Sequence, residues 1–130
     1  MSRKRKGRIK GKGFLWDRGL RWLLADIIQL RMDHHVYFWL KEEYQNSVDR
    51  AIFEQGLASL FEIDLVAGGR WAVPAKVATR PVIDQSWDYA LTMQFKTLAE
   101  HDIYQDHPSH HVFINTFKEW WAQVQVKDLA

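Results

Sequence analysis

The sequence has 130 residues, of which 47% are hydrophobic and 14% aromatic, enough for one domain with a packed core. The lack of cysteine excludes disulfides, thiolate metal sites and a cysteine nucleophile. It also fits a reducing compartment, so we expect a cytoplasmic protein. No apolar run reaches the roughly 18 residues that a membrane span requires.

The net charge of +2 conceals two regions of opposite sign. Residues 1–31 hold ten Lys or Arg and two Asp, a net +8, so the remainder carries −6. We expect a basic, partly disordered extension, with an amphipathic helix over 14–30 that could dock on the domain or on a membrane surface. The acidic remainder would repel phosphate, so no nucleic-acid partner is expected for the folded domain. The change of sign at Met32 leaves open that residues 1–31 are upstream sequence read in frame.

Two elements are predicted in the first half of the domain. Residues 34–41 are β-branched and aromatic and predict a strand, and the large apolar groups on both its faces are typical of a sheet covered on both sides. A helix is predicted from Asn46 or Ser47 to about Ile63, with Gly56 where the helix crosses a strand closely. Its apolar stripe is expected to consist of Ile52, Phe53, Leu57, Leu60 and Phe61.

Two further strands are predicted in the middle of the domain. The first covers residues 66–73, with Gly68 and Gly69 marking a turn or bulge, and a loop bracketed by Pro74 and Pro81 follows it. The second covers residues 87–96, and of all the predicted strands it shows the clearest alternation of apolar and other residues. Its apolar face is predicted to hold Trp87, Tyr89, Leu91, Met93 and Phe95.

The last third of the sequence predicts two helices and a closing strand. Thr97 and Glu100 form a capping box that opens a helix, which must end before Pro108. Pro108 suits the first turn of the next helix. A strand over 123–129 closes the chain. The order β-α-β-β-α-α-β predicts a ferredoxin-like α+β fold, with a four-stranded antiparallel sheet and helices on one face.

Four segments together resemble the stress-responsive α/β-barrel (Dabb) family. They are His34-x-Val36-x-Phe38, the strand from Trp87 to Phe95, Tyr104-x-x-His107-Pro108-x-His110, and Val124-x-Val126-x-Asp128. The likeness spans residues 33–128 and implies one Dabb-like domain over 32–130. It also implies a homodimer, in which the sheets of two subunits pack face to face into a barrel. Such packing would explain the two apolar faces of the first strand.

Tyr104 and His110 are the candidate catalytic residues. Helical phase turns His110 inward with Phe113, and His111 toward solvent. Tyr104 lies on the other side of the proline break, so both side chains could converge on one cavity. The matching Tyr and His are the catalytic pair in a plant polyketide cyclase of the family. By that resemblance, a neutral imidazole would remove a proton next to a carbonyl, and a phenol would donate to the developing enolate.

Other residues are expected to surround or support this pair. His107 and Pro108 are expected to be structural, with His107 capping the helix that follows it. No metal and no other cofactor is expected, because an H-E-x-x-H pattern is missing and helical phase turns His110 and His111 apart. The ligand site is expected to be lined by His34, Phe38, Tyr89 and Phe113.

Three functions stay open at this point. The first is a stress-responsive dimer that binds a small apolar or aromatic ligand without turnover. The second is a cofactor-free enzyme that uses the Tyr104/His110 pair for enolate or aldol chemistry on a polyketide-like substrate. The third is a cofactor-free monooxygenase, which the aromatic content allows. The sequence has no Gly-rich phosphate loop, nucleophile elbow or paired catalytic carboxylates, which favours the first and leaves open whether the protein is an enzyme.

Overall fold

The structure, a computed structural model, describes residues 31–130. The predicted basic extension and the helix over 14–30 lie outside the described residues. The described part has four strands: β1 (Met32–Leu40), β2 (Gly68–Ala72), β3 (Tyr89–Phe95) and β4 (Trp121–Leu129). It also has the helices α1 (Ser47–Leu60), α2 (Leu98–Gln105) and α3 (Pro108–Phe117), with short 3-10 turns at Glu42–Tyr44 and Lys118–Trp120. None of the helices in residues 31–130 is long and apolar enough to cross a membrane.

The four strands form one antiparallel sheet in the order β2-β3-β1-β4. The first strand is central, and its Val36 lies opposite Leu91 of β3 and Val126 of β4. With helices after β1 and β3, this order is the ferredoxin-like α+β arrangement, so the predicted fold class is confirmed. Strand β4 is an edge strand on which most side chains are exposed.

The two faces of β1 differ in their burial. Residues at even positions are buried, and Phe38 packs against Phe53 of α1 and Phe113 of α3. On the opposite face Tyr37 and Trp39 are only half-buried. Within residues 31–130 the helices therefore cover one face of the sheet, as expected, and leave aromatic side chains on the other.

Helix α1 follows its predicted stripe with two differences. Phe53, Leu57 and Leu60 are buried, whereas Ile52 is 44% exposed, so its predicted place in the stripe was wrong. Gly56 lies against Phe117 of α3 and not against a strand, since an added Cβ would lie 2.3 Å from Cε2 of that ring. The missing side chain thus allows two helices, rather than a helix and a strand, to approach closely.

Side-chain caps fix the start of each helix. The Oδ1 of Asn46 accepts a hydrogen bond from the Asp49 amide at 2.9 Å, and the Oγ1 of Thr97 accepts one from the Glu100 amide at 3.0 Å. Both predicted caps are confirmed. At the third helix Nδ1 of His107 accepts from the Ser109 amide at 3.0 Å. With Pro108 as the first helical residue, this cap holds the break between α2 and α3 in place.

The start of β3 departs from the predicted strand. The strand begins at Tyr89, and Trp87 packs against Tyr37 on the sheet face that the helices do not cover. The carboxylate of Asp88 accepts from the Leu40 amide at 2.8 Å and from Nε2 of Gln45 at 3.0 Å. This anchoring of Asp88 at the end of β1 interrupts the alternation, so Trp87 does not share the face of Tyr89 as predicted.

Candidate functional site

A cavity of about 170 Å³ lies between the sheet and the helices α2 and α3. Most of its wall is apolar and comes from both layers, with Phe38 from β1, Phe113 from α3 and Val124 from β4 as examples. Its polar side chains are His34, Tyr104, Gln105 and His110. An apolar pocket with a few polar groups is the usual form of a small-molecule site.

Tyr104 and His110 meet at this cavity. Their ring centroids are 4.7 Å apart, although the proline break separates them in the sequence. The Nδ1 atom of His110 lies 3.1 Å from the carbonyl oxygen of Gln105. Because a carbonyl oxygen can only accept, Nδ1 is the nitrogen that carries the proton in the neutral ring, and Nε2 keeps its lone pair.

Burial controls the protonation of both side chains. It lowers the pKa of His110, and the carbonyl of Gln105 opposes this effect only in part. Burial also raises the pKa of Tyr104, whose side chain is almost inaccessible to solvent. Near neutral pH the site therefore holds a neutral imidazole with a free lone pair beside a phenol that keeps its proton.

A second polar cluster extends from the cavity at His34. Its Nδ1 lies 2.5 Å from Oδ1 of Asp128 and 3.2 Å from Nε2 of His101. Nε2 of Gln105 lies 3.1 Å from the same nitrogen of His101. Burial lowers the pKa of His34, while the hydrogen bond to Asp128 acts in the opposite direction. Both imidazoles are buried, and the side chain of Asp128 is 42% exposed.

The structure brings most of the predicted site residues together. His34, Phe38 and Phe113 line the cavity with the Tyr104/His110 pair. Tyr89 does not reach it. The Tyr89 hydroxyl donates to Oε2 of Glu54 at 2.6 Å, and its ring packs against Phe53 and Trp71. The alternation of β3 predicted the correct face of the sheet for Tyr89. It did not predict that the side chain lies near β2, away from the cavity.

Sequence reasoning missed the association of His34 with His101 and Asp128. Antiparallel pairing of β1 with β4 places His34 directly opposite Asp128, 94 residues away. His101 lies one helical turn before Tyr104, and this i, i+3 spacing is a signal that could have placed it on the same face of α2. The pairing with His34 depends on how α2 crosses the sheet, which has no local signature.

The fold and cavity define a ferredoxin-like α+β domain with a Tyr/His pair in an apolar pocket. The sequence model of the stress responsive A/B barrel domain, Dabb, matches residues 32–130. The chain therefore belongs to the Dabb family, as its motifs predicted. No curated protein matches the sequence.

Several solved structures share this fold. A Dabb-family protein from Mesorhizobium loti has 21% identity and a TM-score of 0.63, over 78% of this chain and 97% of its own. A dimeric ferredoxin-like protein of unknown function from Thermobifida fusca has 16% identity and a TM-score of 0.64, over 78% and 91%. A hydroxynitrile lyase from Passiflora edulis has 15% identity and a TM-score of 0.66, over 77% and 92%. At these identities the likeness establishes the fold.

Proposed function

We propose that this domain binds a small apolar or aromatic molecule with one polar end in the cavity next to Tyr104 and His110. The supporting observation is an apolar cavity with a Tyr/His pair in its wall. Its volume of about 170 Å³ is below the roughly 300–1,000 Å³ of drug-sized sites and close to that of cavities that hold benzene. We therefore expect a ligand of about one aromatic ring, rather than an extended polyketide.

A polar end on the ligand is supported by the wall of the cavity. Besides the Tyr/His pair, the wall includes Trp121, whose Nε1 is buried without a hydrogen-bond partner among residues 31–130. An unpaired buried donor costs about 1–3 kcal/mol, so a ligand oxygen within reach would be favourable. A carbonyl compound such as an aryl ketone or aldehyde fits this requirement.

The tautomer of His110 favours a second candidate, catalysis of proton transfer. With Nδ1 held by the carbonyl of Gln105, the lone pair of Nε2 can take a proton from the carbon next to a carbonyl group. The hydroxyl of Tyr104 would donate to the enolate oxygen that forms, and the imidazolium would return the proton to carbon. One structural relative, from Passiflora edulis, is a hydroxynitrile lyase, so a protein with this fold can be an enzyme.

Ligand binding is tested first, by the effect of small aryl ketones and of two-ring analogues on the NMR spectrum of the protein. Acetophenone should shift the signals of Phe113 and His110, whereas a naphthyl ketone should leave them unchanged. Equal shifts from both compounds, or from neither, would contradict a one-ring ligand in this cavity.

Proton transfer is tested separately, by exchange of the acetophenone methyl protons for deuterium in deuterated water. We expect His110→Gln to remove the exchange above background and Tyr104→Phe to slow it by about a hundred- to a thousandfold, the usual range for one oxyanion partner. His111→Gln is the matched control, because this neighbouring histidine is exposed. Exchange that is as fast in His110→Gln as in the parent protein would exclude His110 as the base.

We also propose that two copies associate through the uncovered face of the sheet. On this face Tyr37, Trp39 and Trp87 border a hollow of about 330 Å³. Half-buried aromatic side chains on a sheet face without helices are typical of an interface. The structural relative from Thermobifida fusca is described as dimeric.

A cytoplasmic location stays a prediction from the cysteine-free composition.

A further inference from the structure

We propose that His34, His101 and Asp128 form a binding site for one divalent transition-metal ion of the zinc type. The three side chains come from β1, α2 and β4, and each offers one ligand atom within 4.8 Å of the other two. Two imidazoles and one carboxylate are one of the ligand sets of three-residue zinc sites, which keep a further position open. This inference does not depend on the proposed ligand or reaction.

The hydrogen bonds show that the lone pairs of this cluster converge. A carboxylate oxygen of Asp128 can only accept, and the Gln105 amide group that donates to Nε2 of His101 makes that nitrogen an acceptor as well. Both atoms approach Nδ1 of His34, so they share its one proton. A cation in place of this proton would meet three donor atoms once the exposed Gln105 side chain has turned its amide group away from Nε2 of His101. The neutral His34 ring would carry its proton on Nε2 instead, so no net proton is released.

The distances suit a small transition-metal ion. Bonds of about 2.0–2.1 Å in a tetrahedral site hold ligand atoms about 3.3 Å apart. Nδ1 of His34 and Nε2 of His101 are already 3.2 Å apart. The Asp128 oxygen lies closer, at 2.5 Å, and would move back by somewhat less than about 1 Å. This carboxylate is partly exposed on an edge strand, so it has more freedom to adjust than the two buried rings.

Nδ1 of His101, the nitrogen that would not bind the ion, lies 3.9 Å from the carboxylate of Asp102, which is longer than a hydrogen bond. A carboxylate that accepts a hydrogen bond from the outer nitrogen of a ligating histidine orients the ring, and Asp102 would do so only after a rotation of its exposed side chain. This inference replaces the expectation of no metal, which considered only histidines close together in the sequence.

The first experiment measures zinc binding by the untagged full-length protein after treatment with EDTA and dialysis. Titration against a chromophoric chelator should give one zinc ion per chain. Asp128→Asn and His101→Gln should each weaken binding by at least tenfold, since each removes a ligand. His111→Gln should bind as the parent does, because this histidine is exposed and outside the cluster. Parental affinity in Asp128→Asn, or no binding by the parent, would overturn the proposal.

A second measurement uses the parent protein and so does not depend on the folding of a variant. In ¹⁵N NMR spectra of the histidine rings, zinc should shift His34 and His101 together and move the His34 proton from Nδ1 to Nε2. Cobalt in place of zinc should give visible absorption bands typical of a site with two nitrogens and one oxygen. Zinc shifts confined to the more exposed His107 and His111 would show surface binding and overturn the proposal.

Discussion

His110 illustrates how one buried side chain links protonation to stability. Its pKa is lowered in the folded protein, chiefly by burial, whereas the unfolded chain titrates near 6.5. Below pH 6.5 the unfolded state therefore binds more protons at this residue than the folded state does. His110 costs no stability above pH 6.5, and a cost develops as the pH falls from 6.5 through the folded pKa.

We predict that His110→Gln reduces the loss of thermal stability on acidification. In EDTA-treated protein, the melting temperature of the parent should fall more steeply between pH 7 and pH 5 than that of the variant. Val112→Gln is the control, because it places the same side chain at an exposed position of the same helix and removes no titratable group. A slope in His110→Gln that equals that of the parent would show that the folded and unfolded states titrate alike at this residue. The lowered pKa of His34 adds a second contribution that is common to all three proteins.

Two adjacent glycines at the start of β2 have different structural demands. Gly69 has a φ of +115°, and an added Cβ would lie 1.8 Å from the backbone oxygen of Thr92 on β3. Gly68 has no such φ, and its Cβ would meet only the end of the Gln94 side chain, at 2.9 Å. A backbone atom of a paired strand cannot move away, whereas the end of a glutamine can.

We predict that Gly69→Ala destabilises the domain by at least about 3 kcal/mol and that Gly68→Ala changes its stability by less than about 1 kcal/mol. Urea unfolding followed by circular dichroism measures both variants. Gly68→Ala is the matched control for Gly69→Ala, because the two variants have the same amino-acid composition. Similar stability of the two proteins would mean that β2 can shift along β3 to relieve the clash.

At the scale of the whole molecule, the uncovered face of the sheet is the surface through which we propose that two copies associate. Tyr37 lies near the centre of this face, and its ring packs against Trp87 at a centroid distance of 5.4 Å. A charge here would have to be desolvated in an interface between two sheets, which is unfavourable without a partner of opposite charge.

We predict that Tyr37→Glu converts a dimer to a monomer, as measured by light scattering after gel filtration. Val48→Glu is the control, because it adds the same charge at an exposed position of α1 that the sheet interface would not contact. The control should keep the mass of two chains. A Tyr37→Glu protein that remains dimeric would place the interface elsewhere.

The sequence by itself determined the types and order of the elements. The caps at Asn46 and Thr97, the break before Pro108 and the alternation of β1 are local patterns, because they depend on residues two to four positions apart. The same local phase turned His110 toward the cavity and His111 toward solvent. The motifs of the Dabb family could be recognised in the sequence for the same reason, because each motif is also a short local pattern.

Tertiary structure alone decided which distant residues meet. Gly56 faces Phe117 and not a strand, and Tyr89 pairs with Glu54 away from the cavity. His34 lies beside His101 and Asp128 only because β1 pairs with β4 and α2 crosses the sheet above them. Periodicity fixes the face on which a side chain lies. Its partner depends on strand register and on the packing of helices, which involve residues far apart in the chain.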